Sequence, residues 1–190
     1  MKLVSKIAAV ALGLSAFSAA QAEGLYAGAN FSSIDADGPS FTGIGGHVGA
    51  KLNPNLAVEG RFGIGMGDDN GWELDNYASV LAKGIYPIQE NLSAYGLVGF
   101  SRVAWSYSWE HTEVVPVVPV FDPADPWGFL DADWGAEEVT SSLSASGTET
   151  GLSLGGGVEY ALSQQISLTA EYLMMTSDFS SLTAGVSYKF

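Results

Sequence analysis

The amino-acid sequence predicts an all-β protein, an eight-stranded antiparallel up-and-down transmembrane β-barrel with short periplasmic turns and one long extracellular loop. Three observations favour this fold. Apolar residues recur at every second position in eight segments, the connections between segments alternate between short and long, and charged side chains inside the segments share a parity with polar residues. A strand with one apolar and one polar face covers a soluble core or faces lipid. The remaining features of the sequence favour a barrel whose apolar face contacts lipid.

The first residues predict export from the cytoplasm. Lys2 and Lys6 precede an apolar stretch from Ile7 to about Phe17, and small residues follow up to Ala22. This order of a charged, an apolar and a small-residue region is that of a secretory signal peptide, which predicts cleavage of residues 1–22 and a barrel domain over residues 23–190. No later apolar run approaches the roughly 20 residues that a membrane helix needs.

The composition narrows the class of protein further. The chain has 21 acidic residues, seven Lys or Arg and a formal net charge of −14. Such a negative charge argues against a nucleic-acid partner, because nucleic acids are bound by basic patches. The chain has no cysteine, so disulfides cannot stabilise it, whereas lipid around a closed barrel can.

The alternating segments and their connections predict the order of the strands. The strands cover approximately residues 24–33, 41–52, 56–66, 76–86, 92–108, 148–160, 166–175 and 181–190. Three connections are short, and most of the others are longer and acidic, above all residues 109–147. Alternation of this kind is typical of a barrel with short periplasmic turns and longer outer loops.

The parity of the charged residues predicts a charged barrel interior. Its predicted members are His47, Lys51, Glu59, Arg61, Lys83, Arg102, Glu159, Glu171 and Lys189. Placing Arg102 inside requires Leu97 and Val103 to face outward and Phe100 to face inward. Eight strands enclose a space that side chains can fill, so we expect these charges to pair in a packed polar core. The alternative is a soluble eight-stranded barrel of lipocalin type, which would place its charges on the solvent face.

Aromatic residues near the strand ends predict two belts at the membrane interfaces, where Tyr and Trp are favoured. The periplasmic belt comprises Tyr86, Tyr160, Tyr188 and Phe190, and the outer belt comprises Trp105, Tyr107 and Trp109.

Four stretches resemble the OmpA/OmpX-like outer-membrane β-barrel superfamily of Gram-negative bacteria. They are GLYAGANFS, GGHVGAKLNPNLAVEGRFG, GGGVEYALSQQISLTAEYLM and the final GVSYKF, and the resemblance covers essentially all of residues 23–190. It implies a protein of the outer membrane, in contact with lipid and lipopolysaccharide, whose loops are exposed at the cell surface.

The last strand also resembles the signal by which the outer-membrane assembly machinery recognises its clients. The residues concerned are Leu182, Ala184, Val186, Tyr188 and Phe190. The alternative is that Phe190 only contributes to the aromatic belt.

The long loop, about residues 109–147, contains four prolines, which exclude regular strand pairing through its middle. Its aromatic residues are a candidate contact surface for a partner, and they comprise Trp109, Phe121, Trp127, Phe129 and Trp134. The alternative is a cap over the barrel mouth. The aspartates of this loop do not have the spacing of an EF-hand, so no metal site is predicted.

Catalysis finds no support in the sequence. His47 and His111 belong to no recognisable set of nucleophile, base and orienting group, so we predict neither an enzyme nor a bound cofactor. The predicted function is a structural or surface-interaction role, similar to adhesion, through the acidic outer loops, with a surface or host ligand as the hypothetical partner. The alternative is a narrow, porin-like passive channel for ions or small solutes.

Overall fold

The computed structural model describes residues 24–36, 38–116 and 136–190, which form nine β-strands. The strands are β1 Leu25–Ala36, β2 Ser40–Asn53, β3 Leu56–Met66, β4 Asp68–Asp69, β5 Trp72–Pro87, β6 Leu92–Pro116, β7 Ala136–Ala161, β8 Ile166–Met174 and β9 Phe179–Lys189. Within these ranges no helix has the length and apolarity needed to cross a membrane. The predicted signal peptide lies outside the described residues.

The eight long strands close into a ring. Each long strand pairs with the long strands before and after it in the chain, so β3 pairs with β5 past the two-residue β4. The first and last strands, β1 and β9, pair with each other. The register of β1 shows the closure, since Tyr26 lies opposite Gly49 of β2 on one side and Lys189 of β9 on the other, both antiparallel. Closure removes the free edges that an open sheet would expose to lipid. The predicted eight-stranded barrel is therefore confirmed.

The connection between β3 and β5, predicted as a plain loop, contains a tight hairpin. Asp69 pairs with Trp72, and the two intervening residues, Asn70 and Gly71, have φ angles of 52° and 83°. A two-residue hairpin with positive φ at both positions favours Asn-Gly because other side chains are strained there. The Asn-Gly dipeptide was the signal for this turn in the sequence.

Strands β6 and β7 extend beyond their predicted bounds, to 25 and 26 residues. The contacts divide the chain into a barrel unit, ending at Ser106 and resuming at Ser146, and a loop unit, Tyr107–Ala145. Within the loop unit, the hydroxyls of Thr112 and Thr140 lie 3.1 Å apart and link the two strands.

The interior of the barrel unit has an apolar half and a charged half. The apolar half lies toward the long loops and consists of one packed cluster, which includes Ile34, Phe41, Leu74, Tyr77, Leu81, Leu97, Val103, Leu173, Met175 and Phe179. Next to residues of this cluster, the buried Ser101 hydroxyl bonds to those of Ser79 and Ser153 at 2.6 and 2.7 Å. The charged side chains lie toward the short turns. The sequence analysis predicted a packed polar core and did not predict this apolar half.

The outer face of the barrel unit is apolar. Large side chains that stand more than half exposed around the ring include Phe31, Val80, Phe100, Leu152, Tyr172 and Leu182. A band of such residues is the lipid-facing surface of a transmembrane barrel. A soluble barrel would instead turn its apolar side chains into the interior.

The predicted orientation of β6 is wrong. Leu97 and Val103 are 2% and 0% exposed and belong to the interior cluster, whereas Phe100 is 63% exposed and Arg102 is also exposed. Leu97 and Val103 face inward because they pack into the apolar cluster that also includes residues of β1, β2, β5, β8 and β9. Trp105 is likewise not an outer-belt residue, because its ring packs against Trp72 at 5.0 Å beside the interior cluster.

Candidate functional site

The charged half of the interior contains an ion-pair network of three carboxylates and three cations. Its members are Glu59, Arg61, Lys83, Glu159, Glu171 and Lys189, contributed by β3, β5, β7, β8 and β9. Because β3 and β8 lie four strands apart in the eight-stranded ring, the pair formed by Arg61 and Glu171 spans the barrel from wall to wall.

Arg61 joins two carboxylates at the centre of the network. Its Nε and Nη2 donate to Glu59 Oε2 at 3.0 and 2.5 Å, and its Nη1 and Nη2 donate to Oε1 and Oε2 of Glu171, the latter at 3.0 Å. Glu59 and Glu171 are only 1% and 5% exposed. The fork of a guanidinium suits two-pronged contact with carboxylates, and Lys could not replace it here.

Lys83 continues the network toward the short turns. Its Nζ lies 3.1 Å from Glu59 Oε1, 3.2 Å from Glu159 Oε2 and 4.1 Å from the centre of the Tyr95 ring. Lys189 Nζ lies 2.9 Å from the other oxygen of Glu159. The order Glu171, Arg61, Glu59, Lys83, Glu159 and Lys189 thus alternates in sign and leaves no member without an opposite charge.

Two tyrosines that the charge pattern did not predict complete the hydrogen bonding. Tyr26 Oη donates to Glu59 at 2.6 Å, and Tyr95 Oη donates to Glu171 at 3.0 Å. Buried charges are tolerated only when they are paired and their remaining lone pairs are hydrogen-bonded, and these tyrosines meet that requirement. In the sequence, the only indication of this role was that both tyrosines occupy positions whose side chains face the interior.

Interior glycines make room for the large side chains. A Cβ added at Gly49 would lie less than 3.0 Å from the Tyr26 ring, and one added at Gly63 would lie equally close to the Tyr77 ring. Two cavities of about 10 Å³ each lie beside Arg61, and each has room for about one water molecule.

The other predicted interior residues have different surroundings. His47 Nε2 lies 2.8 Å from Ser187 Oγ, so this histidine is hydrogen-bonded to another strand of the barrel wall. Lys51 is half-buried, and no carboxylate of the described residues lies within 4.0 Å of its Nζ. Arg102 faces outward, so its placement in the interior network is corrected.

The C-terminal series forms part of the lipid-facing surface. Leu182, Ala184, Val186, Tyr188 and Phe190 are all exposed, Phe190 at 79%. The Phe190 N–H donates to Leu25 O at 2.9 Å, and its ring contacts Tyr188 at 5.3 Å between centroids. Their role as an assembly signal stays a prediction.

One residue of the candidate surface contact loop lies in the described part of the chain. Trp109 is 45% exposed, and its ring stacks on that of His111 with centroids 5.3 Å apart and planes 7° from parallel. Phe121, Trp127, Phe129 and Trp134 lie outside the described residues, as do the loop aspartates. In the part of the chain that the structure describes, no group of three His, Asp or Glu side chains converges to hold a metal.

A closed antiparallel barrel with an apolar outer face and a charged, ion-paired interior defines an integral outer-membrane β-barrel protein. The model of the outer membrane protein beta-barrel domain family matches residues 6–190, and the chain belongs to this family. Its place is therefore the outer membrane of a Gram-negative bacterium, as the resemblance implied.

Solved structures share the fold at low sequence identity. The chain is 20% identical to Ail, the attachment invasion locus protein of Yersinia pestis, with a TM-score of 0.51 and coverage of 88% of this chain and 97% of that one. The N-terminal barrel of Pseudomonas aeruginosa OprF gives 11% identity, a TM-score of 0.53 and coverage of 87% and 97%. Neisserial surface protein A is 18% identical, with a TM-score of 0.50 and coverage of 88% of this chain and 96% of that one. No curated protein matches the chain by sequence.

Proposed function

We propose that this protein is a closed outer-membrane barrel that contacts a partner surface outside the cell through its loop unit, without a catalytic step or a cofactor. The main observation in support is that large apolar side chains are exposed on the two strands of the loop unit, namely Trp109, Val114, Val115, Val139 and Leu143. Exposed apolar clusters of this kind mark contact surfaces for other macromolecules.

The charge of the loop unit indicates the chemistry of the partner. Glu110, Glu113 and Glu138 are exposed beside these apolar residues, and residues 107–145 contain no Lys or Arg. Charge complementarity therefore favours a partner with basic groups interspersed among apolar ones, and it disfavours a polyanion. Two proteins of the same fold, the attachment invasion locus protein and Neisserial surface protein A, carry names that describe a surface role. The chemistry proposed here rests on this chain's own loop.

Replacing Trp109 by Ala is expected to weaken binding of the refolded protein, held in lipid nanodiscs, to an immobilised basic, aromatic-containing protein surface by roughly 10-fold or more, since truncating a buried interface Trp commonly costs ~2 kcal/mol. Glu110→Gln with Glu113→Gln is expected to lower the association rate and the dependence of that rate on salt. Surface plasmon resonance at two salt concentrations measures both effects.

Matched controls lie at the short-turn end of the barrel unit. Tyr86→Ala removes an exposed aromatic residue and Glu90→Gln removes an exposed charge near the short turn after β5. Neither should change binding. Equal losses in these controls, or preferential binding of a sulfated polysaccharide by the unaltered protein, would contradict the proposal.

A second candidate function is a narrow passive channel. The observation that favours it is the pair of small cavities beside Arg61, lined by polar and charged side chains such as Asn30 and Thr183. The paired charges and the apolar half of the interior lead us to expect no steady conductance of the refolded protein in a planar bilayer. A steady single-channel current that changes in the Glu59→Gln variant would contradict our proposal and support the channel function.

We propose that the outer-membrane assembly machinery is a further partner during biogenesis. The C-terminal series, ending in Phe190, supports recognition by the outer-membrane assembly machinery, because its side chains stand free on the outer face while its backbone already pairs with β1.

A further inference from the structure

Arg102 stands apart from the other cations of the described residues. Lys51, Arg61, Lys83 and Lys189 lie on the interior parity, whereas Arg102 projects from the outer wall between the buried Ser101 and Val103. No carboxylate of residues 24–36, 38–116 or 136–190 lies within ion-pair distance of its guanidinium. An unpaired Arg on a lipid-facing wall is strongly destabilising at the membrane midplane and nearly neutral at an interface.

The position of Arg102 along β6 places it at the outer interface. Arg102 lies ten residues after Leu92, the first residue of the strand at the short-turn end. At about 3.4 Å per residue and a strand tilt of about 40°, this corresponds to roughly 26 Å along the barrel axis. The apolar band of such barrels is about 25 Å tall.

Four other strands of the barrel change from apolar to polar outward-facing residues in the same direction. Toward the long loops, Phe31 is followed by Ser33 in β1, Ile44 is preceded by Thr42 in β2, Leu152 by Thr150 in β7, and Leu182 by Ser180 in β9. These changes mark the outer edge of the apolar band. In β6 the edge falls between Phe100 and Arg102.

The outer interface is where phosphate groups of the outer-leaflet lipid lie. A guanidinium binds phosphate through two parallel hydrogen bonds, and Phe100, two residues earlier on the same face, is positioned to contact acyl chain beneath it. The exposed acidic residues at this end, including Asp35, Glu73 and Asp178, would repel an anionic lipid. A cation on the wall, such as Arg102, can offset this repulsion by binding a lipid phosphate.

We propose that Arg102 is a binding site on the barrel wall for a phosphate group of lipopolysaccharide in the outer leaflet. The site is independent of the partner proposed for the loop unit, because it lies on the wall of the barrel unit and requires only the lipid around it.

The test is a titration of a short-chain lipopolysaccharide into the refolded, detergent-solubilised protein with a chelator present, so that divalent cations cannot bridge acidic groups to phosphate. Native mass spectrometry gives the dissociation constant. Arg102→Gln and Arg102→Ser are expected to weaken binding about fivefold, the value for ~1 kcal/mol per cation at an anionic surface. The same lipid after enzymatic removal of its phosphates should bind the unaltered protein and both variants equally weakly.

Lys51→Gln is the matched control, since it removes a cation without a carboxylate partner from the interior parity, and it should leave lipopolysaccharide binding unchanged. A change in gel migration on heating checks that each variant is folded. Unchanged binding in a folded Arg102 variant, or an equal loss with dephosphorylated lipid, would overturn the proposal.

Discussion

Arg61→Gln is expected to lower the free energy of unfolding of the barrel by about 3–5 kcal/mol, because removing one partner of a buried ion pair leaves an uncompensated charge. Here it leaves Glu171 without a cation and Glu59 with Lys83 alone, and both carboxylates are almost fully buried. Urea unfolding from phospholipid vesicles, followed by tryptophan fluorescence, measures the change.

Two further variants separate the ion-pair network from a general effect of losing arginine. Arg102→Gln removes the outward-facing guanidinium and should change the unfolding free energy by no more than ~1 kcal/mol. Arg61→Gln combined with Glu171→Gln leaves two carboxylates and two cations, Glu59, Lys83, Glu159 and Lys189, and should be more stable than Arg61→Gln alone. If the double variant were the less stable one, charge pairing would not be what stabilises this half of the interior.

Gly63→Ala is expected to cost about 1–3 kcal/mol of unfolding free energy through overpacking. The added Cβ would lie less than 3.0 Å from Tyr77 Cζ and from its hydroxyl, and the Tyr77 ring is packed in the interior cluster, where it cannot withdraw freely. The same urea titration measures the loss.

Gly60→Ala provides the matched control on the same strand, because a Cβ there meets only Val48 at 4.0 Å. It should be nearly neutral. Tyr77→Leu removes the atoms that clash, so the cost of Gly63→Ala should largely disappear in that background. A penalty that persists in the Tyr77→Leu background would show that the strand backbone, rather than contact with the Tyr77 ring, requires glycine at position 63.

The agreement between sequence and structure is greatest for strands whose two parities differ sharply. In β3, Glu59 and Arg61 alternate with Val58 and Phe62, and in β8, Glu171 alternates with Ala170 and Tyr172, so the inward face was evident from the residues alone. Strand β6 lacks this contrast. Val98 and Phe100 on one parity and Leu97 and Val103 on the other are all apolar, and Arg102, the single charge in the part of β6 that belongs to the barrel unit, predicted the wrong face.

The local pattern of the chain determined that this protein is an eight-stranded outer-membrane barrel, since period-2 alternation, turn residues and charge parity are properties of neighbouring residues. Only the tertiary structure decided which charges pair, that the half of the interior toward the long loops is apolar, and that Arg102 faces lipid. Those features depend on side chains that converge from strands far apart in sequence, as Arg61 and Glu171 do across 110 residues. Alternation along one strand carries no information about what the opposite wall of the barrel presents.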